Sequence, residues 1–327
     1  MRLLLLAATL ALGLPGVAQA ACPDHRYLGN YPQNREFSWS EDVQGIAHDS
    51  RNWFFTQTSR ILKLPVRADL SRSLGDQPPG WRGVDGFPTE LAVRGYHHYG
   101  DPQVYGGFLF VPVESGDRTA IAAFRASNLA FIDFVEITRF QSHAGWLAIN
   151  ASQRLLYTSD LNVSPDTPLL RYRLDLGPLR SADVPRTRKL DRALSFHSRF
   201  TLSGSDGQVV RLFTMQGGVF SPRGDLYLMS SRRSWFPPVD PGGISLWSPG
   251  GNLLQRSQNA SGLGGFKYEF HTGDDEEPEG LDWWNRSRRP PTPHVRGQLH
   301  AFLLDNDGLF DDDDLYLKHY TVDYRCR

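Results

Sequence analysis

The chain has 327 residues, with 31 glycines, 22 prolines, 12% aromatic residues and a formal net charge of −1 at pH 7. This length suits one large all-β domain or two ordinary domains, and the composition favours strands and turns over long helices. A net charge near zero gives no electrostatic reason to expect nucleic acid or an anionic membrane as a partner.

The first 20 residues have the layout of a secretory signal. Arg2 precedes an apolar core from Leu3 to Leu14, and the small-residue motif Ala18-Gln19-Ala20 follows. The core is too short to span a bilayer, and no later stretch approaches the ~18–20 apolar residues that a membrane helix needs. We therefore expect residues 1–20 to be removed, and residues 21–327 to form a soluble domain that is secreted or periplasmic.

The two cysteines, Cys22 and Cys326, stand at opposite ends of the mature chain. In an oxidising compartment such a pair favours a disulfide that joins the termini. One alternative is two unpaired surface thiols. Another is a lipoprotein acylated at Cys22, although Gln19 stands where such signals usually carry an aliphatic residue.

A stretch from Gln216 to Ser248 provides a template for the rest of the chain. It contains three short runs of strand-forming residues, separated by a Pro-Arg-Gly turn and by a segment rich in proline and glycine. These runs are too short for helices. Three or four antiparallel strands that begin near a glycine are typical of a propeller blade, and one blade alone cannot bury both faces of its sheet. The template therefore predicts its own repetition.

Five units of this kind follow one another in the chain. Each opens near a glycine, at Gly45, Gly100, Gly145, Gly217 and Gly280. A blade needs ~40–50 residues before loop insertions, so the spacing predicts an all-β, single closed β-propeller of five blades with four antiparallel strands each. A sixth blade between Asp175 and Met215 stays an alternative.

Two strands of this scheme are less obvious in the sequence. In the first unit, Leu91-Ala92-Val93 is the candidate fourth strand. The fifth unit shows only the runs 281–283, 299–304 and 315–322, so we expect residues near Arg35 to Ser40 to supply its missing strand. That pairing would close the ring by joining the first residues to the last, and the terminal disulfide would lock the closure.

The motif Pro278-Glu279-Gly280 resembles the blade opening of calcium-dependent lactonase propellers of the gluconolactonase and paraoxonase type. Propellers of that type have six blades and bind calcium through acidic and amide side chains, for which Glu279 is the firm counterpart here. The resemblance implies a secreted propeller with lactonase-like hydrolytic activity and Ca²⁺ as cofactor.

Polar side chains stand before or beside each opening glycine. Because innermost strands run alongside the central channel, these side chains should gather at one mouth of it. Carboxylate and amide oxygens favour calcium, whereas histidine favours softer metals. The alternative is that they only satisfy backbone groups at strand starts. The predicted ligand-binding set is Gln44, His98, Asp101, His143, Gln216 and Glu279, with Asp101 and Glu279 as metal ligands.

The stretch from His97 to Asp101 is the densest ionisable cluster at any blade opening. We predict His98 as a general base, with Asp101 either fixing its tautomer or binding a metal. Adjacent strand residues face opposite sides, so only one of His97 and His98 should point to the channel. One surface histidine and one structural histidine form the alternative.

An acidic run later in the chain resembles a calcium loop. Asp305, Asp307 and Asp311 supply alternating acids around a turn glycine, Gly308, although the register differs from that of an EF-hand. The alternative is a solvated hairpin turn. A second acidic run, Asp274 to Glu277, would bias the channel toward cations.

Two classes of function follow. The first is a metal-dependent hydrolase that acts at the channel mouth on a small ester, lactone or sugar. The second is a non-catalytic propeller that binds a glycan or a protein; a structural envelope protein is a third reading. The sequence has neither a G-x-S-x-G nucleophile elbow nor a phosphate-binding glycine loop with a following lysine. We expect a monomer whose partner is a small polar ligand or a glycan.

Overall fold

A computed structural model describes residues 25–33, 37–116, 118–231, 242–256, 266, 268, 276–287, 292–305 and 314–323. Within these residues, 21 strands form five antiparallel sheets, and each sheet is one blade of a propeller. The predicted five-bladed propeller with four antiparallel strands per blade is confirmed. In the described part of the chain, no helix is long and apolar enough to cross a membrane.

The strands follow the chain blade by blade. Strand β1 (His25–Asn30) precedes blade 1, which consists of β2 (Val43–His48), β3 (Asn52–Gln57), β4 (Arg60–Pro65) and β5 (Arg82–Asp85). Blade 2 contains β6 (His98–Tyr99), β7 (Gln103–Tyr105), β8 (Phe108–Ser115), β9 (Arg118–Arg125) and β10 (Phe131–Glu136). Blade 3 contains β11 (Ala148–Asn150), β12 (Leu155–Thr158), β13 (Leu169–Leu174) and β14 (Leu194–Phe200).

Blade 4 consists of β15 (Met215–Phe220), β16 (Leu226–Ser230), β17 (Gly243–Trp247) and β18 (Leu253–Arg256). Blade 5 consists of β19 (Glu276–Trp283), β20 (Leu299–Asp305) and β21 (Asp314–Val322), and β1 is its outermost strand. The helices are α1 (Thr89–Ala92), α2 (Gly177–Arg180) and α3 (Lys189–Ala193), with 3₁₀ turns at Leu74–Asp76 and Arg186–Arg188.

The hydrophobic core lies between neighbouring blades. Five clusters of buried side chains fill the five interfaces. In β3, for example, Phe54 packs with blade 2, whereas Phe55 packs with blade 5. Both faces of each sheet are therefore buried, which explains why the strands read as nearly continuous apolar runs.

The ring of blades is closed by its innermost strands. In order, β2, β7, β11, β15 and β19 each contact the next, and β19 contacts β2 again. The described residues between Asp175 and Met215 form α2, α3 and β14 with their connections, so they hold no sixth blade.

Two strand predictions are wrong in position. The N-terminal strand that completes blade 5 is β1, not residues 35–40. Residues 38–42 form turns, and the Phe37 and Trp39 rings pack into the core between blades 1 and 5, where apolar burial outweighs strand pairing. Likewise, the fourth strand of blade 1 is β5 and not Leu91–Val93. Leu91 lies in the short helix α1, which buries its side chain without strand pairing.

The opening glycines meet around the axis, where neighbouring backbones touch. A Cβ atom would lie 2.4 Å from Asp101 Cα at Gly45, 2.2 Å from Gly145 O at Gly100, and 2.6 Å from Gly45 Cα at Gly280. Side chains do not fit at such distances, so the inner strands approach this closely only because these residues are glycines. The front mouth of the channel is the end where the innermost strands begin, and the back mouth is the end where they finish.

Candidate functional site

Asp101 lies at the centre of the glycine ring and is fully buried. Its Oδ1 accepts a hydrogen bond from Ile46 N at 3.0 Å, and its Oδ2 accepts from Leu281 N at 3.1 Å and Gly218 N at 3.4 Å. Its own N–H donates to Gly145 O at 2.8 Å. Asp101 therefore connects blade 2 to the other four blades.

Burial raises the pKa of the Asp101 carboxyl well above its usual range, although the N–H groups of Ile46, Leu281 and Gly218 act in the opposite direction. All of these partners are backbone groups, and they occupy both carboxylate oxygens. The position next to His98 that we predicted for Asp101 is held by another carboxylate, Glu114.

The front mouth carries a chain of polar contacts centred on His98. Its Nε2 lies 2.8 Å from Gln44 Oε1, and its Nδ1 lies 3.1 Å from Glu114 Oε1. Glu114 Oε2 accepts a hydrogen bond from Ala144 N at 2.8 Å and lies 3.8 Å from His143 Nδ1. The side chains of His98, Glu114 and His143 are 27%, 18% and 41% exposed. Blades 1, 2 and 3 thus contribute to one solvent-accessible network.

The two partners of His98 limit its chemistry. Gln44 Oε1 and Glu114 Oε1 lie within hydrogen-bonding distance of its two ring nitrogens, so neither nitrogen is free in this arrangement. The general base that we predicted would require Gln44 to turn away from Nε2.

Glu114 is the functional residue that sequence reasoning missed. Burial by itself would raise the pKa of its carboxyl, but the hydrogen bonds from His98 and Ala144 N and the nearby charge of His143 outweigh burial, so the pKa is lowered. In the sequence, Glu114 could have been noticed as a lone acid that follows an apolar run. The pairing of β6 with β8 then places it directly opposite His98.

The opposite side of the front mouth is formed by Glu279 and Gln216, from blades 5 and 4. Glu279 is buried, and its Oε1 accepts a hydrogen bond from Gln216 Nε2. Burial raises the pKa of Glu279 well above its usual range, and the negative charges of Glu277, Asp101 and Glu114 raise it further. The Gln216 side chain is partly exposed, whereas Glu279 is buried.

The front mouth does not form a calcium site in this arrangement. Calcium requires ~6–8 oxygen ligands converging on one point. Among the described residues, no group of three or more His, Cys, Asp or Glu side chains is placed to hold a metal ion. The oxygens of Asp101 are already directed at backbone N–H groups, so the predicted metal pair Asp101 and Glu279 does not fit a bound ion.

The structure therefore places Asp101 at the axis and the other five predicted ring residues at the front mouth, in two groups. Gln44, His98 and His143 join Glu114, whereas Gln216 joins Glu279. Asp307, Asp311, Cys22 and Cys326 lie outside the described residues, as does the side chain of Asp305, whose backbone ends β20. The calcium loop and the disulfide stay predictions.

No protein-family model matches the chain, and no curated protein matches it. Solved structures do resemble it. A nidogen/laminin complex has 11% identity over 86% of this chain and 86% of the other, with a TM-score of 0.44. A gluconolactonase from Xanthomonas campestris has 10% identity over 91% and 95%, with a TM-score of 0.40. The glutaminyl cyclase of Myxococcus xanthus has 10% identity over 91% and 97%, with a TM-score of 0.43.

These likenesses concern the fold alone. The predicted weak resemblance to propellers, gluconolactonase among them, is confirmed at that level. They assign no activity, ligand or residue to this chain.

Proposed function

We propose that the front mouth binds a small organic ligand through a cationic group such as an ammonium. The observation that carries the proposal is the burial of two acidic side chains without a cationic partner. Asp101 and Glu279 are both buried, and within the described chain neither forms an ion pair with a lysine, arginine or histidine. Burying a carboxylate without a compensating charge is costly, and a bound cation would supply that charge.

The two carboxylates differ in what they offer a ligand. Three backbone N–H groups already occupy Asp101. Glu279 is approached from the mouth by the Gln216 amide, a neutral donor in the position where an ammonium would donate. An ammonium that displaced this amide would meet Glu279, and the nearby charge of Glu277 would add to the attraction. We therefore assign Glu279 as the main contact.

Thermal unfolding tests this assignment with choline, ethanolamine and putrescine as probes at matched ionic strength, and with CaCl₂ in a separate arm. We expect at least one amine to raise the Tm of the parent, because a ligand present at about 100 times its Kd adds about 2.7 kcal/mol of stability. Glu279→Gln keeps the side-chain shape and should remove the rise.

Glu136→Gln is the matched control, since Glu136 lies on the outer strand β10 and pairs with Arg94. It should leave the rise unchanged. A rise that survives Glu279→Gln, or one produced by calcium and by no amine, would contradict the proposal.

Hydrolysis of a small ester, lactone or sugar is the second candidate function, and His143 is the observation that favours it. Its ring is the more exposed of the two front-mouth histidines, and its ionic contact among the described residues is the long 3.8 Å approach to Glu114. Such a ring can act as a general base while Glu114 stabilises its protonated form.

His143→Gln should abolish turnover of a lactone and ester panel, whereas His98→Gln should reduce it less. Loss of turnover when a chelator is added would favour the metal-dependent hydrolase. Glycan binding without turnover would favour the non-catalytic alternative.

A further inference from the structure

The back mouth of the channel carries a histidine–aspartate pair. His48 ends β2 of blade 1, and Asp282 is the penultimate residue of β19 of blade 5. The Nδ1 atom of His48 lies 2.7 Å from Asp282 Oδ2. The His48 side chain is 25% exposed and that of Asp282 is 4% exposed. An accessible imidazole is thus backed by a buried carboxylate.

The geometry selects one tautomer of His48. A carboxylate only accepts hydrogen bonds, so Nδ1 of the neutral ring carries the proton and Nε2 keeps its lone pair. Within the described residues, Nε2 of His48 has no hydrogen-bond partner. The ring also stacks on Trp284, with centroids 4.5 Å apart and planes at 14°. An oriented ring with a free Nε2 is what a general base requires.

Arg286 is a second, independent feature beside the same tryptophan. Its Cζ lies 4.4 Å from the centroid of the Trp284 ring. The residue is buried, and among the described residues its Nε and Nη2 have no hydrogen-bond partner. Buried donors without acceptors are costly. A carboxylate on a ligand would satisfy them, because the planar fork of N–H groups matches carboxylate geometry.

We propose that the back mouth is a catalytic site for hydrolysis of small esters that carry a carboxylate, with His48 as general base and Arg286 as the carboxylate-binding residue. Trp284 contacts both side chains, which places the imidazole and the guanidinium against one ring. Asp282 acts as a positioning residue through His48. This site is separate from the front mouth and does not depend on the function proposed there.

The reaction uses water and no redox partner. Nε2 of His48 takes a proton from water while the water oxygen forms a bond to the ester carbonyl carbon. The tetrahedral intermediate then breaks its bond to the leaving alkoxide oxygen, which takes the proton back from Nε2. The products are a carboxylic acid and an alcohol, and Asp282 stabilises the transient imidazolium.

The test compares two esters, 4-nitrophenyl hemisuccinate, which has the carboxylate, and 4-nitrophenyl acetate, which lacks it. The rate without protein is subtracted from each, because the carboxylate of the hemisuccinate itself attacks the ester. After this subtraction the parent should prefer the hemisuccinate. His48→Gln should lower its hydrolysis about 10²-fold or more, the usual contribution of a general base. Arg286→Met should lower hydrolysis of the hemisuccinate by a larger factor than hydrolysis of the acetate, so that the preference is lost. His197→Gln is the matched control, because His197 is an exposed histidine of β14.

A spectroscopic readout separates this role from a structural one. ¹⁵N NMR of the folded parent should show His48 with its proton on Nδ1, and Asp282→Asn should shift the ring toward the other tautomer. If His48→Gln does not fold, this measurement and the Arg286→Met result still test the catalytic role of the back mouth. A parent rate no higher than that of free imidazole, equal rates for the two esters, or a proton on Nε2 of His48 would overturn the proposal.

Discussion

His25 is buried, and its ring lies near Tyr227 and Tyr320, with centroids 6.2 and 5.6 Å away. In the part of the chain that the structure describes, neither ring nitrogen has a hydrogen-bond partner. Burial lowers the pKa of His25 from 6.5 to about 4. In the unfolded chain His25 is therefore protonated below about pH 6.5, whereas in the folded chain it is protonated only below about pH 4. The stability contributed by neutral His25 is lost as the pH falls through this window.

His25→Phe should therefore stabilise the protein, because phenylalanine fits an aromatic site and leaves no polar atom unpaired. We expect a gain of about 1–3 kcal/mol at pH 8. At pH 5 the gain should be larger by up to about 2 kcal/mol, since the parent loses that amount to protonation of the unfolded chain. Urea unfolding at both pH values measures it, with His197→Phe as the exposed control. A gain that does not depend on pH would contradict the lowered pKa.

Glu279 has the opposite pH dependence. Its raised pKa means that the folded state favours the neutral carboxyl, so its contribution to stability is present at acid pH and is lost as the pH rises through the folded-state pKa. Glu279→Gln should stabilise the free protein at pH 8, by about 1.4 kcal/mol for each unit of pKa difference, and have little effect at pH 4. Thermal unfolding at the two pH values checks this. Destabilisation at pH 8 would show that the ionised carboxylate is already compensated in the free protein.

Strand β1 closes the ring at the level of secondary structure. It pairs antiparallel with β21, with His25 opposite Val322 and Asn30 opposite Lys318. Cys22 precedes His25 by three residues, and Cys326 follows Val322 by four. The segments that carry the two cysteines therefore start from the same end of one strand pair.

This pairing gives the predicted disulfide between Cys22 and Cys326 a structural basis. Peptide mapping of the purified protein under non-reducing conditions should recover the two cysteine peptides joined. The double replacement by serine should lower the free energy of unfolding by as much as about 4–5 kcal/mol, because the bond closes a loop of nearly the whole domain. Two free thiols, or an acyl chain on Cys22, would refute the pairing.

The close approach of the inner strands is a property of the whole molecule. Each opening glycine touches a neighbouring blade, and the Asp101 carboxylate fills the space between them. The ring can close only if all five strands reach the axis together.

Gly100→Ala should therefore prevent correct closure, because its Cβ would lie 2.2 Å from Gly145 O, a backbone atom that cannot turn aside. We expect a loss above about 4 kcal/mol, in the range of severe core substitutions, or failure to fold. Gly75→Ala is the control, since nothing lies within 4 Å of its added Cβ. Equal stability of the two variants, measured by urea unfolding, would show that the inner strands can separate at no cost.

The sequence by itself determined the blades and most of the front mouth. Strand-forming runs and the Gly/Pro turns between them are local signals, and repetition of one unit places equivalent residues at equivalent heights. Gln44, His143, Gln216 and Glu279 could therefore be assigned to one mouth from their spacing to a glycine.

Only the tertiary structure decided which side chains meet. Propensity allowed a strand at residues 35–40, but burial of Phe37 and Trp39 between blades 1 and 5 moved the closing strand to β1. The roles of Asp101 and Glu114 depended on cross-blade hydrogen bonds that no local pattern encodes. His48 and Asp282 are 234 residues apart in the chain and become neighbours only because the last blade closes against the first.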